Sequence, residues 1–85
     1  MKQIMLDLET LGTGNNSVIV AIGAVKFDIN GVYDKFYTTV CPKSCVDNGL
    51  VMDADTVLWW MRQSDDARKM FDVPGVSLIE ALLQF

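Results

Sequence analysis

The chain has 85 residues, which is enough for one small domain with a modest core. It carries a net charge of −4, with 11 acidic residues against 7 basic ones. A protein that binds nucleic acid by charge alone would be basic, so the composition argues against that class. The chain also lacks histidine, which removes the commonest general base and the commonest zinc ligand.

The first predicted strand, residues 2–8, is an apolar segment that carries Asp7 and is followed directly by Glu9. Side chains of a strand alternate between its faces, so these two carboxylates are expected to point the same way. Like charges this close repel unless a divalent cation lies between them, and Mg²⁺ prefers one or two carboxylates together with water and phosphate oxygens. The spacing therefore suggests a metal site. The alternative is that the two carboxylates are simply exposed to solvent at the end of the strand and bind no metal.

Two further strands are predicted over residues 18–29 and 32–40. The first of them is almost continuously apolar, which indicates a strand covered on both faces, and Gly23 in its middle suggests a bulge or a close backbone approach. Asn30 and Gly31 between the strands predict a tight hairpin in which both residues take positive φ. Residues 41–52 are expected to form a loop, with Pro42, Asn48 and Gly49 as breakers.

The rest of the chain carries three helix signals, each a capping residue followed by apolar positions. Asp53 or Asp55 is expected to cap a helix through TVLWWMRQ, and Ser64 is expected to cap the next one. Ser77 and Glu80 have the spacing of a capping box and predict a third helix. Three antiparallel strands followed by short helices predict an α/β domain.

Targeting and redox signals are weak. Cys41 and Cys45 cannot complete a zinc site in a chain without histidine, and they lack the CxxC spacing, so two reduced thiols are expected. Asp7 and Glu9 interrupt the segment where a signal peptide would be apolar, and the longest apolar run, VIVAIGAV, is too short to span a bilayer. We therefore expect a cytoplasmic protein with no membrane partner.

The segment DLETLGTGNNSVIVAIGAVKF, residues 7–27, resembles the opening of DEDD-type 3′–5′ exonucleases, in particular the RNase T-like group that contains RNase AS. The resemblance extends over most of the chain, through Phe36-Tyr37, Asp55-Thr56-Val57, Trp59-Trp60, Gln63-Ser64-Asp65 and Ala67-Arg68. It implies an RNase H-like fold and hydrolysis of nucleotides from a 3′ end, in a bacterial or phage-infected cell. DNA and RNA both remain open as the substrate.

The resemblance also implies a metal site. Asp7 and Glu9 match the first two acids that hold two Mg²⁺ or Mn²⁺ ions in the family, which clamp the phosphodiester during hydrolysis. Two further aspartates and a general-base histidine or tyrosine belong to a second half of the family's domain, which residues 1–85 do not contain. We therefore expect the N-terminal part of a truncated RNase H-like fold, weak or inactive as an isolated chain.

Four residues match positions near the substrate in this family. Thr10 and Leu11 correspond to contacts with the terminal nucleotide of a single-stranded 3′ end, and Trp60 and Gln63 to aromatic and polar groups near the substrate pocket. Adjacent helical residues point about 100° apart, so one of the pair Trp59 and Trp60 is expected in the core. Arg62 and Lys69 are weaker candidates for phosphate contacts, since exposed bases on helices are usually just solvated.

The apolar fraction of 51% is high for so short a chain, and the first strand would present an unpaired edge. We therefore expect a homo-oligomer, or a partner chain that completes the fold. A non-catalytic binding or assembly module, such as a truncated phage or prophage nuclease remnant that oligomerises, is the rival interpretation.

Overall fold

The structure is a computed structural model that describes residues 2–85; Met1, which belongs to the expected domain over residues 1–85, lies outside the described residues. A three-stranded antiparallel sheet is followed by short helices, which confirms the α/β prediction. The elements in chain order are β1 (Gln3–Thr10), β2 (Ile19–Asp28), β3 (Gly31–Thr39), α1 (Pro42–Asp47), α2 (Ala54–Met61), α3 (Asp65–Arg68), a 3₁₀ turn (Lys69–Phe71) and α4 (Leu78–Gln84).

The sheet has the order β1-β2-β3, so β1 lies at an edge and β2 in the centre. Asp7 of β1 lies opposite Gly23 of β2, which in turn lies opposite Tyr37 of β3. The register shifts between Glu9 and Thr10 and between Lys26 and Phe27, so the bulge that was one of the two possibilities at Gly23 does not form there. The first half of β2 is buried or half-buried on both faces, as its continuous apolar character predicts.

The hairpin between β2 and β3 forms, but its turn differs from the prediction. Asp28 pairs with Gly31, so Ile29 and Asn30 are the two loop residues. Of the four residues 28–31 only Gly31 has positive φ, at 137°, and the expectation of positive φ at Asn30 is therefore wrong. The Asp28 side chain accepts hydrogen bonds from the Asn30 backbone and the Tyr33 hydroxyl, which closes the turn and raises the pKa of Tyr33.

The predicted loop over residues 41–52 contains a short helix, α1, which the sequence analysis missed. Pro42 occupies its first turn, where a missing N–H costs nothing, so the residue taken as a breaker begins the helix. The Ser44 hydroxyl donates to the Cys41 carbonyl and accepts from the Leu78 backbone N–H, which ties α1 to the start of α4. Cys45 is fully buried, and both cysteines are free thiols.

The predicted helix starts are confirmed by their caps. The Asp53 side chain accepts from the backbone N–H of Asp55, so Asp53 and not Asp55 is the cap of α2. The hydroxyls of Ser64 and Ser77 accept from the third backbone N–H of α3 and α4. Helices this short gain little stability from the helix propensity of their residues. Their starting points are therefore determined by the caps and by tertiary packing.

The core lies where β2 meets the helices, and Trp60 of α2 connects it to the end of β1. The Trp60 side chain is only 8% exposed, and its indole Nε1 donates to the Thr10 carbonyl at 2.9 Å. Its ring packs edge-on against Phe71 and Trp59. The buried residues of this core cluster are Leu11, Val18, Val20, Ile22, Val40, Cys45, Trp60 and Ala81.

Many large apolar side chains remain exposed along the chain, and they include two groups. One face of β1 presents Ile4, Leu6 and Leu8, and the last turn of the chain presents Leu82 and Leu83. The free edge of β1 adjoins the first group. Within residues 2–85, no helix has the length and apolarity needed to cross a membrane.

Replacing Trp60 by Phe tests the link between α2 and β1. The Thr10 carbonyl would lose its indole donor, so the free energy of unfolding should fall by about 1–3 kcal/mol, as for a partly buried acceptor left without a partner. Urea denaturation followed by circular dichroism measures this change. The matched control is Trp59→Phe at a half-exposed position, which should shift stability by no more than about 0.5 kcal/mol. Equal losses in the two variants would contradict the assigned role of the Trp60–Thr10 hydrogen bond.

Candidate functional site

The two carboxylates occupy one face of β1, as the sequence predicts. Asp7 is exposed and Glu9 is half-buried, and they lie opposite Gly23 and Ala21 of the central strand. The salt bridges among residues 2–85 all involve other acids, namely Asp47, Asp65 and Asp66. We call this side of the sheet the carboxylate face. Its two acids are thus free to bind a ligand.

An open groove runs over the carboxylate face, with a volume of about 800 Å³. This size lies within the usual range for ligand sites. Its floor consists of the small residues Ala21 and Gly23 of β2 together with the two carboxylates of the neighbouring strand β1. The groove is lined by Asp7, Glu9, Ala21, Gly23, Tyr37, Thr38, Thr39, Trp60, Asp66, Ala67, Lys69, Met70 and Val73.

The wall of the groove comes from α3 and the 3₁₀ turn. Ser64 begins α3 with its cap, and the following turn carries Asp66 and Lys69, whose side chains form an exposed ion pair at 3.1 Å. Lys69 therefore brings a positive charge to the groove, whereas Arg62 does not line it. The sequence analysis did not place Asp66 in the site, because the position of α3 over the sheet depends on tertiary packing.

Thr10 and Leu11 lie where β1 leaves the sheet. The Thr10 hydroxyl donates to the Gly12 carbonyl at 2.7 Å, and its own carbonyl accepts from Trp60. Leu11 is buried in the core, and its carbonyl accepts from the Asp53 backbone N–H. Both residues shape the turn beside the carboxylates, and neither lines the groove itself.

The aromatic and polar candidates on α2 divide between core and surface. Trp60 is the buried member of the pair, as one of the two was expected to be, and it also lines the groove. Trp59 is 52% exposed and faces a different depression beside Thr13. The Gln63 side chain donates to the Trp59 carbonyl at 2.9 Å and does not line the groove.

The donor set of the carboxylate face fits a hard divalent cation. Asp7 and Glu9 supply two carboxylates, and Mg²⁺ is commonly bound by one or two of these, with water and phosphate oxygens as its other ligands. Within residues 2–85, no three metal-ligating side chains converge. These residues therefore account for the protein ligands of one ion, and a second ion would need ligands in addition to the Asp7 and Glu9 pair.

Comparison with known proteins identifies the family. Residues 2–85 match the family model described as the 3'-5' exoribonuclease Rv2179c-like domain. No curated protein and no solved structure gives a significant match. A 3'-5' exonuclease family agrees with an acid pair that faces an open groove. Since the match extends over almost the whole chain, the protein belongs to the Rv2179c-like 3'-5' exoribonuclease domain family.

Proposed function

We propose that this chain contributes Asp7 and Glu9 to a metal-dependent site that removes nucleotides from the 3′ end of single-stranded RNA. The observation that carries the proposal is the pair Asp7 and Glu9, which lies free of salt bridges on the floor of an open groove. The family description names an exoribonuclease, which favours RNA over DNA as the substrate. The RNase T-like subgroup of the DEDD nucleases is part of this proposal.

In this proposal Asp7 and Glu9 hold Mg²⁺ or Mn²⁺ against the phosphate to be cleaved. The bound ions of a two-metal site supply the positive charge and the activated water that the displacement requires. Cations held by these carboxylates would also offset the repulsion between an acidic protein and a polyanion. Neutral amides at these positions would remove both effects.

Four neighbouring residues are proposed to position the terminal nucleotide. Thr10 and Leu11 shape the backbone turn beside the carboxylates, and Trp60 holds that turn through its hydrogen bond to Thr10. Gln63 lies near the end of α2 and would have to release the Trp59 carbonyl to reach substrate. The location of the protein in the cytoplasm stays a prediction.

We expect the 85-residue chain alone to hydrolyse RNA weakly or not at all. A two-metal site uses more ligands than the two carboxylates of Asp7 and Glu9, and no third ligating side chain joins them within residues 2–85. The chain also has no histidine to act as general base. Metal binding is therefore a sharper test than turnover.

Asp7→Asn should weaken Mn²⁺ binding at least about tenfold, because one of two carboxylate ligands becomes a neutral amide. Isothermal titration calorimetry measures the affinity, and release of nucleotides from a 3′-labelled single-stranded RNA in Mn²⁺ measures any activity. Any trimming by the wild-type chain should be lost in the variant.

Asp34→Asn is the matched control, since Asp34 is an exposed strand aspartate that does not line the groove. It should leave Mn²⁺ affinity unchanged. Equal affinity of the wild-type chain and Asp7→Asn for Mn²⁺ would overturn the proposed metal site.

Assembly is a second candidate function, because the exposed apolar side of β1 favours it. Ile4, Leu6 and Leu8 point to one side of a strand whose outer edge has no neighbour among residues 2–85. An edge of this kind offers both backbone hydrogen bonds and apolar contacts to another strand. We therefore propose that a second copy of the chain, or a partner chain, covers β1 and completes the fold.

Light scattering distinguishes a second copy from a separate partner. If β1 pairs between copies, the wild-type mass should be a multiple of 9.5 kDa, and Leu6→Lys should lower it, since lysine at a strand edge opposes pairing. Val32→Lys, at an exposed apolar position on the opposite edge strand, serves as the matched control and should keep the wild-type mass. A monomeric wild-type chain at all concentrations would rule out the second copy.

A further inference from the structure

Tyr37 lies across the sheet from Asp7, in the same row of the carboxylate face. The row runs Asp7, Gly23, Tyr37, one residue from each strand. Neighbouring strands are about 4.8 Å apart, so the backbones of Asp7 and Tyr37 are separated by about 10 Å. Both side chains line the groove. That span matches the reach of one nucleotide from phosphate to base.

Gly23 lies between these two residues in the row and places no side chain of its own between them. A Cβ atom built at Gly23 would lie 3.8 Å from Cδ2 of Tyr37, so the tyrosine ring leans along the glycine. Ala21 continues this floor of small residues toward Glu9. A flat ligand can therefore lie on the Gly23 floor with its edge or face against the ring.

Tyr37 is a large aromatic side chain near the end of β3, and it is 66% exposed. The groove wall opposite the carboxylates adds apolar contact from Met70 and Val73 and a charge from Lys69. Aromatic rings that stand free beside a nucleic-acid site commonly stack on bases, and they do so with little dependence on base identity.

We propose that Tyr37 and the Gly23 floor form a nucleobase subsite, which holds a base of the single-stranded RNA whose phosphate lies at Asp7 and Glu9. This inference rests on the proposed function and names the part of the substrate that the far side of the groove binds. Tyr37 stacks on the base, and Gly23 provides the clearance that lets the base lie between the ring and the carboxylates.

A purely structural role for Tyr37 makes a different prediction. An aromatic ring that leans on a glycine in a sheet also shields the backbone, and its removal would lower stability without changing RNA binding. The two roles are separated by measuring binding and stability on the same variants.

The first experiment measures binding of a short fluorescently labelled single-stranded RNA to the 85-residue chain by anisotropy, in Ca²⁺ and in Mn²⁺. Tyr37→Ala should weaken binding about tenfold, as expected for loss of one stacked base, and Tyr37→Trp should restore it. Tyr33→Ala is the control, because Tyr33 is the other tyrosine, is exposed on the same strand and does not line the groove. It should bind RNA like the wild-type chain.

Gly23→Val tests the floor without removing the ring. A Cβ at this position meets its nearest atoms at ordinary contact distance, and valine favours strands. The melting temperature of the variant shows whether the two further methyl groups fit beside the Tyr37 ring, and an unchanged value is expected. The branched side chain would occupy the space of the base, and RNA binding should weaken at least as much as in Tyr37→Ala.

The outcomes distinguish this inference from the proposed function. Wild-type RNA affinity in Tyr37→Ala and Gly23→Val, with Mn²⁺ binding that still depends on Asp7, would overturn the subsite and leave the proposed metal site standing. A Mn²⁺ affinity that Asp7→Asn leaves unchanged would overturn the proposed function itself. Weakened RNA binding in Tyr37→Ala with unchanged Mn²⁺ affinity and melting temperature supports the subsite.

Discussion

The alternation of side chains along β1 determines the character of both sides of the sheet. Odd positions place Asp7 and Glu9 on the floor of the groove, whereas even positions place Ile4, Leu6 and Leu8 on the opposite face. A slip of one residue in the pairing with β2 would exchange the two sets. The register is fixed by the turn after Glu9, where the Thr10 carbonyl accepts from Trp60. One hydrogen bond from α2 thus helps to decide which face is charged.

The charge distribution around the groove suits a ligand that brings cations with it. Asp7, Glu9 and Asp66 outnumber Lys69 in the lining, so a bare polyanion would meet net repulsion there. Lys69 is itself engaged with Asp66 at the surface, where such pairs contribute little to stability. Its charge could therefore turn toward a phosphate at low energetic cost if a metal ion neutralised the carboxylates, as in the proposed function.

Most of the fold could be predicted from interactions between residues that are close in sequence. The capping side chains of Asp53, Ser64 and Ser77 and the alternation of β1 depend on near neighbours in sequence, and the structure has them as predicted. The short helix at Pro42 was missed because proline was taken as a breaker, although its first-turn position is compatible with a helix.

The candidate site could be predicted only in part. The carboxylate pair follows from spacing within one strand, but the approach of Lys69 and Tyr37 to it depends on pairing and packing across the chain. The sequence resemblance included Tyr37 without giving it a role. Its place opposite Gly23 and Asp7 follows only from the register of all three strands.

Gly23 illustrates how the demands of folding and of binding differ in this domain. Glycine in the middle of a central strand gives up side-chain packing and backbone entropy, so a β-branched residue would serve the sheet better. A Cβ built there meets nothing closer than 3.8 Å, and the fold therefore leaves room for at least an alanine. A glycine at a position with room for a side chain is explained by the proposed subsite, in which a nucleobase occupies the space above it. On this reasoning the small residues between Asp7 and Tyr37 serve ligand binding and not the packing of the core.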